Sequence, residues 1–168
     1  MAAAFVLLAI ADRQYIVLGM IGLFIFMMAH TEYKNVKLMS FLKATTLEDI
    51  MKENFSRIAL TDYYDKVLNI YNQGEEKNFL VFNAQGQIVG AVPEIFIQDF
   101  RKDPRENPLV SDRLSAGVGV MKPQNTLYDA YRFLNTEGIS IVGIIENNLL
   151  RGVVDRHLVE ALVRKGNT

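Results

Sequence analysis

The chain of 168 residues contains no cysteine. Disulfides and thiolate metal sites are therefore excluded. An excess of charge of either sign is also lacking, since 18 Lys and Arg face 19 Asp and Glu. Such a balance leaves no electrostatic footprint for nucleic acid. Only two histidines are present, His30 and His157, far apart in sequence. There is no His-Glu-x-x-His, the spacing that sets two zinc ligands on one helix face beside a general base. His30-Thr31-Glu32 has no second histidine four residues from the first, so it marks a change from apolar to polar sequence rather than a metal site. The His-x-Glu of zinc deaminases needs a Pro-Cys-x-x-Cys partner, which the missing cysteine rules out. The stretch "SAGVGV" (115–120) lacks the Lys-Ser/Thr of a phosphate-binding loop. The residues present carry no catalytic motif, and the chain reads as a non-enzyme.

Apolar residues are abundant but unevenly placed. "MAAAFVLLAIA" (1–11) is followed by Asp12-Arg13-Gln14 and then by "YIVLGMIGLFIFMMA" (15–29). A helix over the second run rises roughly 22 Å, short of the roughly 30 Å hydrocarbon core of a bilayer. A signal peptide would need a basic residue before the first run and a small-residue cleavage site after it. A single continuous helix would place Asp12 and Arg13 in lipid at a cost of several kcal/mol. The expectation is therefore the tail of one membrane helix, a turn at 12–14 and a second helix at 15–29, with the chain a fragment of something longer. Lys34, Lys37 and Lys43 follow the second run, so positive-inside bias puts the rest on the cytoplasmic side.

The remainder repeats itself. "NFLVFNAQGQIVGAV" (78–92) reads as strand, turn and strand. "IVGIIENNLLRGVV" (141–154) has the same pattern about 62 residues on, with Gly90 falling on Gly152 and Val92 on Val154. Upstream, "DYYDKVLNIYNQG" (62–74) lies over "TLYDAYRFLNTEG" (126–138), and "LEDIM" (47–51) over "VSDRL" (110–114). This agreement indicates an internal duplication.

Each copy then reads helix, strand, helix, strand, strand, helix. The first copy is expected to have a short helix from Thr45 or Thr46 to Lys52, a strand at 57–60, a helix at 62–73 closed by Gly74, the hairpin 79–92, and a helix at 93–102 with Pro93 at its first position. "DPRENP" (103–108) is the linker. The second copy has a helix at 109–114, strands at 118–121, 141–145 and 149–154, and helices at 127–137 and 156–164. Either copy alone is too small to bury a good core, so the two must pack together.

The Leu-x-Asp-Ile-Met opening, the amphipathic helix, the hydrophobic hairpin and the Gly-hydrophobic-hydrophobic run before a last helix resemble a cystathionine β-synthase (CBS) domain. Two in tandem resemble a CBS pair, or Bateman module. That resemblance implies an α+β fold, two CBS domains of β-α-β-β-α type packed as a pseudo-twofold pair behind an N-terminal membrane helical segment. The domains are 1–40 for the membrane and exit segment, 41–104 for the first CBS domain and 105–168 for the second. "IGLFIFMMAHTEYKNVK" (21–37), with Ala29-His30-Thr31-Glu32, resembles the last membrane helix of site-2-type membrane zinc metalloproteases. It implies a regulatory tail attached to a membrane protease domain, with zinc only in the catalytic part absent from this chain.

CBS pairs commonly bind adenosine nucleotides between the copies, where the last strand ends Gly-h-h-Ser/Thr-x-x-Asp, h being hydrophobic. Here the hydroxyl positions hold Pro93 and Asp155, and the ribose-gripping positions hold Phe96 and Leu158. The loss of those carboxylates removes a charge-assisted hydrogen bond and argues against nucleotide binding of the usual type. Asp155, Arg156 and His157, with Pro93 and Glu94, are the candidate ligand-binding residues. Set against that, Asp155 is a favoured N-cap for the last helix. Tyr63, Tyr64, Tyr71, Tyr128 and Tyr131 read as core with wet hydroxyl ends rather than as an adenine box. The expected function is a ligand-sensing CBS pair acting by conformational coupling. The alternatives are a homodimerising structural module without a ligand and a CBS tail of a channel or transporter.

Overall fold

The computed structural model describes residues 16–74, 76–103, 106–136 and 138–166. The order is helix α1 (Ile16–Ala44), strand β1 (Ile58–Ala59), helix α2 (Tyr64–Gln73), strands β2 (Phe79–Phe82) and β3 (Ile88–Val92), helix α3 (Glu94–Lys102), strand β4 (Gly119–Met121), helix α4 (Leu127–Leu134), strands β5 (Ile141–Glu146) and β6 (Leu149–Asp155), and helix α5 (Arg156–Gly166). Two units result. One holds α1 as far as Phe41 and the chain from Gly166, and the other runs from Leu42 to Lys165.

Helix α1 does not stop at 29 as expected but continues to Ala44. No glycine or proline interrupts 30–44, and Glu, Lys, Leu and Met favour the helix. Met20, Phe24, Phe26, Met27 and Met28 are all more than half exposed. Among the described residues, however, no helix is long and apolar enough to cross a membrane. The apolar stretch 16–29 rises only about 21 Å before His30, so the expected membrane-spanning segment gains no support here. The run 1–11 and the turn 12–14 lie outside the described residues.

The unit from Leu42 holds two three-stranded sheets, β1-β2-β3 and β4-β5-β6. In each, the first strand runs parallel to the second across a helix, and the second runs antiparallel to the third. Local chemistry sets these elements. Helix α2 closes on Gly74 at φ +89°, a conformation that costs glycine little. The β5–β6 hairpin turns through Asn147 and Asn148, at φ 51° and 61°, the pair of positive values that a type I′ turn requires. Thr126 and Asp129 form a reciprocal capping box at the start of α4. Pro93 sits at the N-cap rather than the first helical position, with its ψ extended at 154°. Other helix bounds also differ from those expected: α2 starts at Tyr64 rather than 62, α4 ends at Leu134 and α5 continues to Gly166.

Strand β2 shows its alternation by sorting its side chains between two cores. Phe79 and Val81 pack with Ile58, Val67, Ile97 and Phe100 under the helices of the first lobe. Leu80 and Phe82 face the other way and meet Ala91, Ile141 and Val153 in a seam shared by both sheets.

The leading segments of the two repeats are exchanged. Thr45 accepts from the Leu127 amide at 2.9 Å, and Lys52 and Val153 exchange backbone bonds at 2.9 and 3.0 Å, so 45–52 docks on the second lobe. Reciprocally, Val110 donates to Asp62 at 2.8 Å and Ser115 exchanges two 2.8 Å bonds with Ala91, so 109–115 docks on the first. The helices expected at 45–52 and 109–114 are accordingly reduced to a turn and to the 3-10 turn Val110–Asp112. Their leading amides bond to loop carbonyls of the other repeat, Leu47 and Glu48 to Asn125 and Pro123, and Val110 and Ser111 to Asp62 and Leu60, instead of continuing a helix.

Candidate functional site

The starts of α3 and α5 meet at a cavity of about 370 Å³ lined by residues of both repeats. That volume lies in the range of small-molecule sites, roughly 300–1,000 Å³. Under the duplication Pro93 corresponds to Asp155, Glu94 to Arg156, Ile95 to His157 and Asn78 to Ser140. All of these except Asp155 line this cavity. The pseudo-symmetry thus brings equivalent positions of opposite charge, Glu94 and Arg156, to one site.

Glu94 lies in the first turn of α3. Its amide donates to Asn78 Oδ1 at 3.1 Å. The Tyr71 hydroxyl donates to Glu94 Oε1 at 2.6 Å, and His157 Nε2 lies 2.6 Å from Glu94 Oε2. Partial burial pushes the Glu94 carboxyl up. The bonds from Tyr71 and His157, the His157 charge and a bond from Gln98 more than offset this and hold it below its ordinary value. Burial of Asn78 to 6 % exposure keeps its amide group aimed at the α3 terminus.

Arg156 spends Nη2 on the carbonyls of Leu134 and Ile139, at 2.5 and 2.6 Å. Its Nε and the Ser140 hydroxyl are buried without a hydrogen-bond partner. Ser115 Oγ donates to the Gly138 carbonyl at 3.3 Å and accepts from Gly117 at 3.2 Å, tying the exchanged segment to the same rim. Asp155 stands apart. It lines a separate cleft of about 10 Å³, and its Oδ1 accepts from the Leu158 amide at 2.8 Å as the α5 N-cap. Phe96 lines the main cavity, where the sequence pattern would have put a carboxylate.

Four of the five sequence candidates, Pro93, Glu94, Arg156 and His157, are therefore brought together, and Asp155 is not. Asn78, Ser115, Ser140 and Tyr71 were not singled out as site residues. The repeat offered a signal for Asn78 and Ser140, which are paired with each other. Nothing local marks Ser115. Among the described residues, no cluster of three or more His, Asp or Glu is placed to hold a metal.

No family model matches the chain, and no curated protein matches it. Solved structures do. The CBS domain of a bacterial CNNM/CorC family Mg²⁺ transporter, solved in complex with ATP, aligns with 80% of this chain and 97% of its own, at 14% identity and a TM-score of 0.64. The CBS domain of a CBS-domain-containing membrane protein from Sphaerobacter thermophilus aligns with 80% and 97%, at 14% identity and 0.59. A CBS domain pair solved with 5′-methylthioadenosine and S-adenosyl-L-methionine aligns with 72% and 97%, at 12% identity and 0.61. The fold is that of a CBS domain pair. Within this CBS-pair fold, the cavity is bounded by the starts of the two final helices, one from each repeat. It is framed by side chains that differ from the ribose-gripping pattern that the sequence resemblance implies.

Proposed function

We propose that residues 42–165 form a regulatory CBS pair that senses a small adenosine-class ligand. The observation that carries this reading is the 370 Å³ cavity with Glu94, Arg156 and His157 converging on it from both repeats. Three solved neighbours of the same fold were captured with adenosine compounds, namely ATP, AMP and the methylthioadenosine–S-adenosylmethionine pair. The Glu94–His157 contact joins α3 to α5, so a ligand that changes it shifts the packing of the lobes. Such coupling is no larger than the ligand's differential affinity for the two arrangements.

In the same reading α1 ties the pair to a membrane, with the pair on the cytoplasmic side. The more-than-half-exposed apolar residues from Met20 to Met28 support this, as do the lysines at 34, 37 and 43. The larger protein is read as a site-2-type metalloprotease, on the likeness of residues 21–37. Calorimetric titration of the full chain with AMP, ATP and S-adenosylmethionine is expected to give saturable heat with at least one. Silence at millimolar ligand would discard sensing and leave the second reading, a dimerising structural module. That reading draws on Phe96 and Leu158 standing at the two ribose-gripping positions, and light scattering is its own test.

A further inference from the structure

Helix α1 uses only one side of its later turns within its own chain. Leu42 is 2% exposed, and Leu38 and Phe41 are half-buried. Gly166 lies against this side, where a Cβ would stand 3.0 Å from Phe41 Cδ1 and 3.1 Å from Leu38 Cδ1. At 3.6 residues per turn, Phe26, Ala29, Tyr33 and Val36 fall on the opposite side of the helix. That side is open. Phe26, Tyr33 and Val36 are 62%, 69% and 62% exposed, and Ala29 is exposed as well.

These residues are spaced 3, 4 and 3 apart. That is the narrow seam through which two helices pair, not the broader stripe that a helix lays on a core. Glu32 and Lys37 flank the seam on its two sides, five positions apart. In a parallel pair of identical helices this offset sets each residue beside its counterpart on the other helix. Two Glu32–Lys37 contacts then form about the two-fold axis. An antiparallel pair sets both glutamates on one side of the seam and both lysines on the other, and forgoes both contacts. Glu32, Lys34 and Lys37 lie around this stretch, so lipid is a poor occupant for it. Beyond Val36 the seam ends, for Ser40 comes next and the Lys43 ammonium is turned to the Tyr128 ring, 5.5 Å from its centroid.

We propose that α1 pairs in parallel with α1 of a second copy of this chain, through Phe26, Ala29, Tyr33 and Val36, and that Glu32 of each copy meets Lys37 of the other. The interface is isologous and closes at two copies. Two CBS pairs are thereby tethered through the segments that precede them. The pairing rests on neither the ligand reading nor the protease reading.

The chain has no cysteine, so an introduced thiol is the only one present. Ala29→Cys, Tyr33→Cys and Val36→Cys are compared with Thr31→Cys and Asn35→Cys, which fall on the other side of the helix. The full-length variants are oxidised with copper phenanthroline in detergent micelles, and melting curves confirm folding. The three seam variants are expected to give about fivefold or more disulfide-linked dimer than the two controls. With Val36→Cys as the reporter, Glu32→Lys is expected to lower the dimer about threefold, and adding Lys37→Glu to restore it. Equal yields on both sides of the helix, as crowding of the apolar run 16–28 in one micelle would give, overturn the proposal, and so does an absence of dimer. Ala29→Cys copies linking to Val36→Cys copies in preference to their own kind would show an antiparallel seam. A charge exchange that restores nothing would assign the pairing to other contacts. Either result overturns the proposal as well.

Discussion

An alanine at 152 would set its Cβ 2.8 Å from the Lys52 carbonyl oxygen, and one at 90 would meet the Ser115 carbonyl at 2.9 Å and the Leu114 side chain at 2.0 Å. These equivalent glycines are where each exchanged segment lies against the other lobe's last strand. Because the obstacle is backbone, the segment has to move. Gly152→Ala is expected to lower stability by about 1–3 kcal/mol, read as a lower urea midpoint at unchanged slope. Tyr64 fixes the same exchange from inside. It is fully buried, its hydroxyl donates to the Arg113 carbonyl, and its ring meets Phe100 edge-on at 5.4 Å. Burial pushes its pKa up to about 12 from 10.0, with the nearby Arg113 charge opposing. A raised value means that the native state holds the proton more tightly. The contribution is complete below pH 10 and lost as pH rises toward 12. Tyr64→Phe should remove this alkaline loss, which melting curves across pH 9 to 12 will show. If the variant declines with pH just as wild type does, Tyr64 is not its source.

Helix α4 is short, and its N-terminus carries much of its local specification. Thr126 and Asp129 satisfy each other's backbone amides, at 3.0 Å from Thr126 N to Oδ2 and 3.2 Å from Asp129 N to Oγ1. Thr126→Ala is expected to cost about 0.5–2 kcal/mol, measured by chemical denaturation. The backbone and side-chain bonds from Thr126 hold the Asp129 carboxyl below its ordinary value, against a small opposing effect of burial. A depressed value gives stability that is present above the unfolded-state pKa, about 3.9. It is lost as pH falls through the folded one. The gap between wild type and Thr126→Ala should therefore narrow on acidification from pH 5. A gap that stays constant would show that the cap works without the carboxylate's charge. The hairpins and the helix end at Gly74 were legible in the sequence, because alternation and a closing glycine act over a few residues; the Asn147-Asn148 turn and the Thr126–Asp129 box are equally local but were not singled out.

At the scale of the whole pair, the exchange of 45–52 and 109–115 makes each lobe depend on chain from the other repeat. Residues 42–104 expressed alone lose the partner of Ala91 and the cover over Tyr64, and 105–165 alone loses the partner of Val153. Each half is expected to be unfolded or aggregated by circular dichroism and sedimentation. Mixing or co-expressing them should restore one cooperative transition. A half that folds by itself with full helix and strand content would show the exchange to be dispensable. The exchange was not legible in advance. "LEDIM" and "VSDRL" look like short helices because nothing within them announces that their leading amides will bond to loop carbonyls of the other repeat.

The amino-acid sequence determined the duplication, the α+β order of elements and the spacing that makes positions 94 and 156 equivalent, because all of these rest on short-range periodicity and turn chemistry. It also supplied most of the candidate residues. Tertiary structure alone decided that Glu94 meets His157 across 63 positions, that Arg156 is bound by carbonyls, and that Asp155 caps a helix outside the main cavity. Those outcomes depend on where two packed lobes bring distant side chains, and no local pattern encodes a distance of that kind.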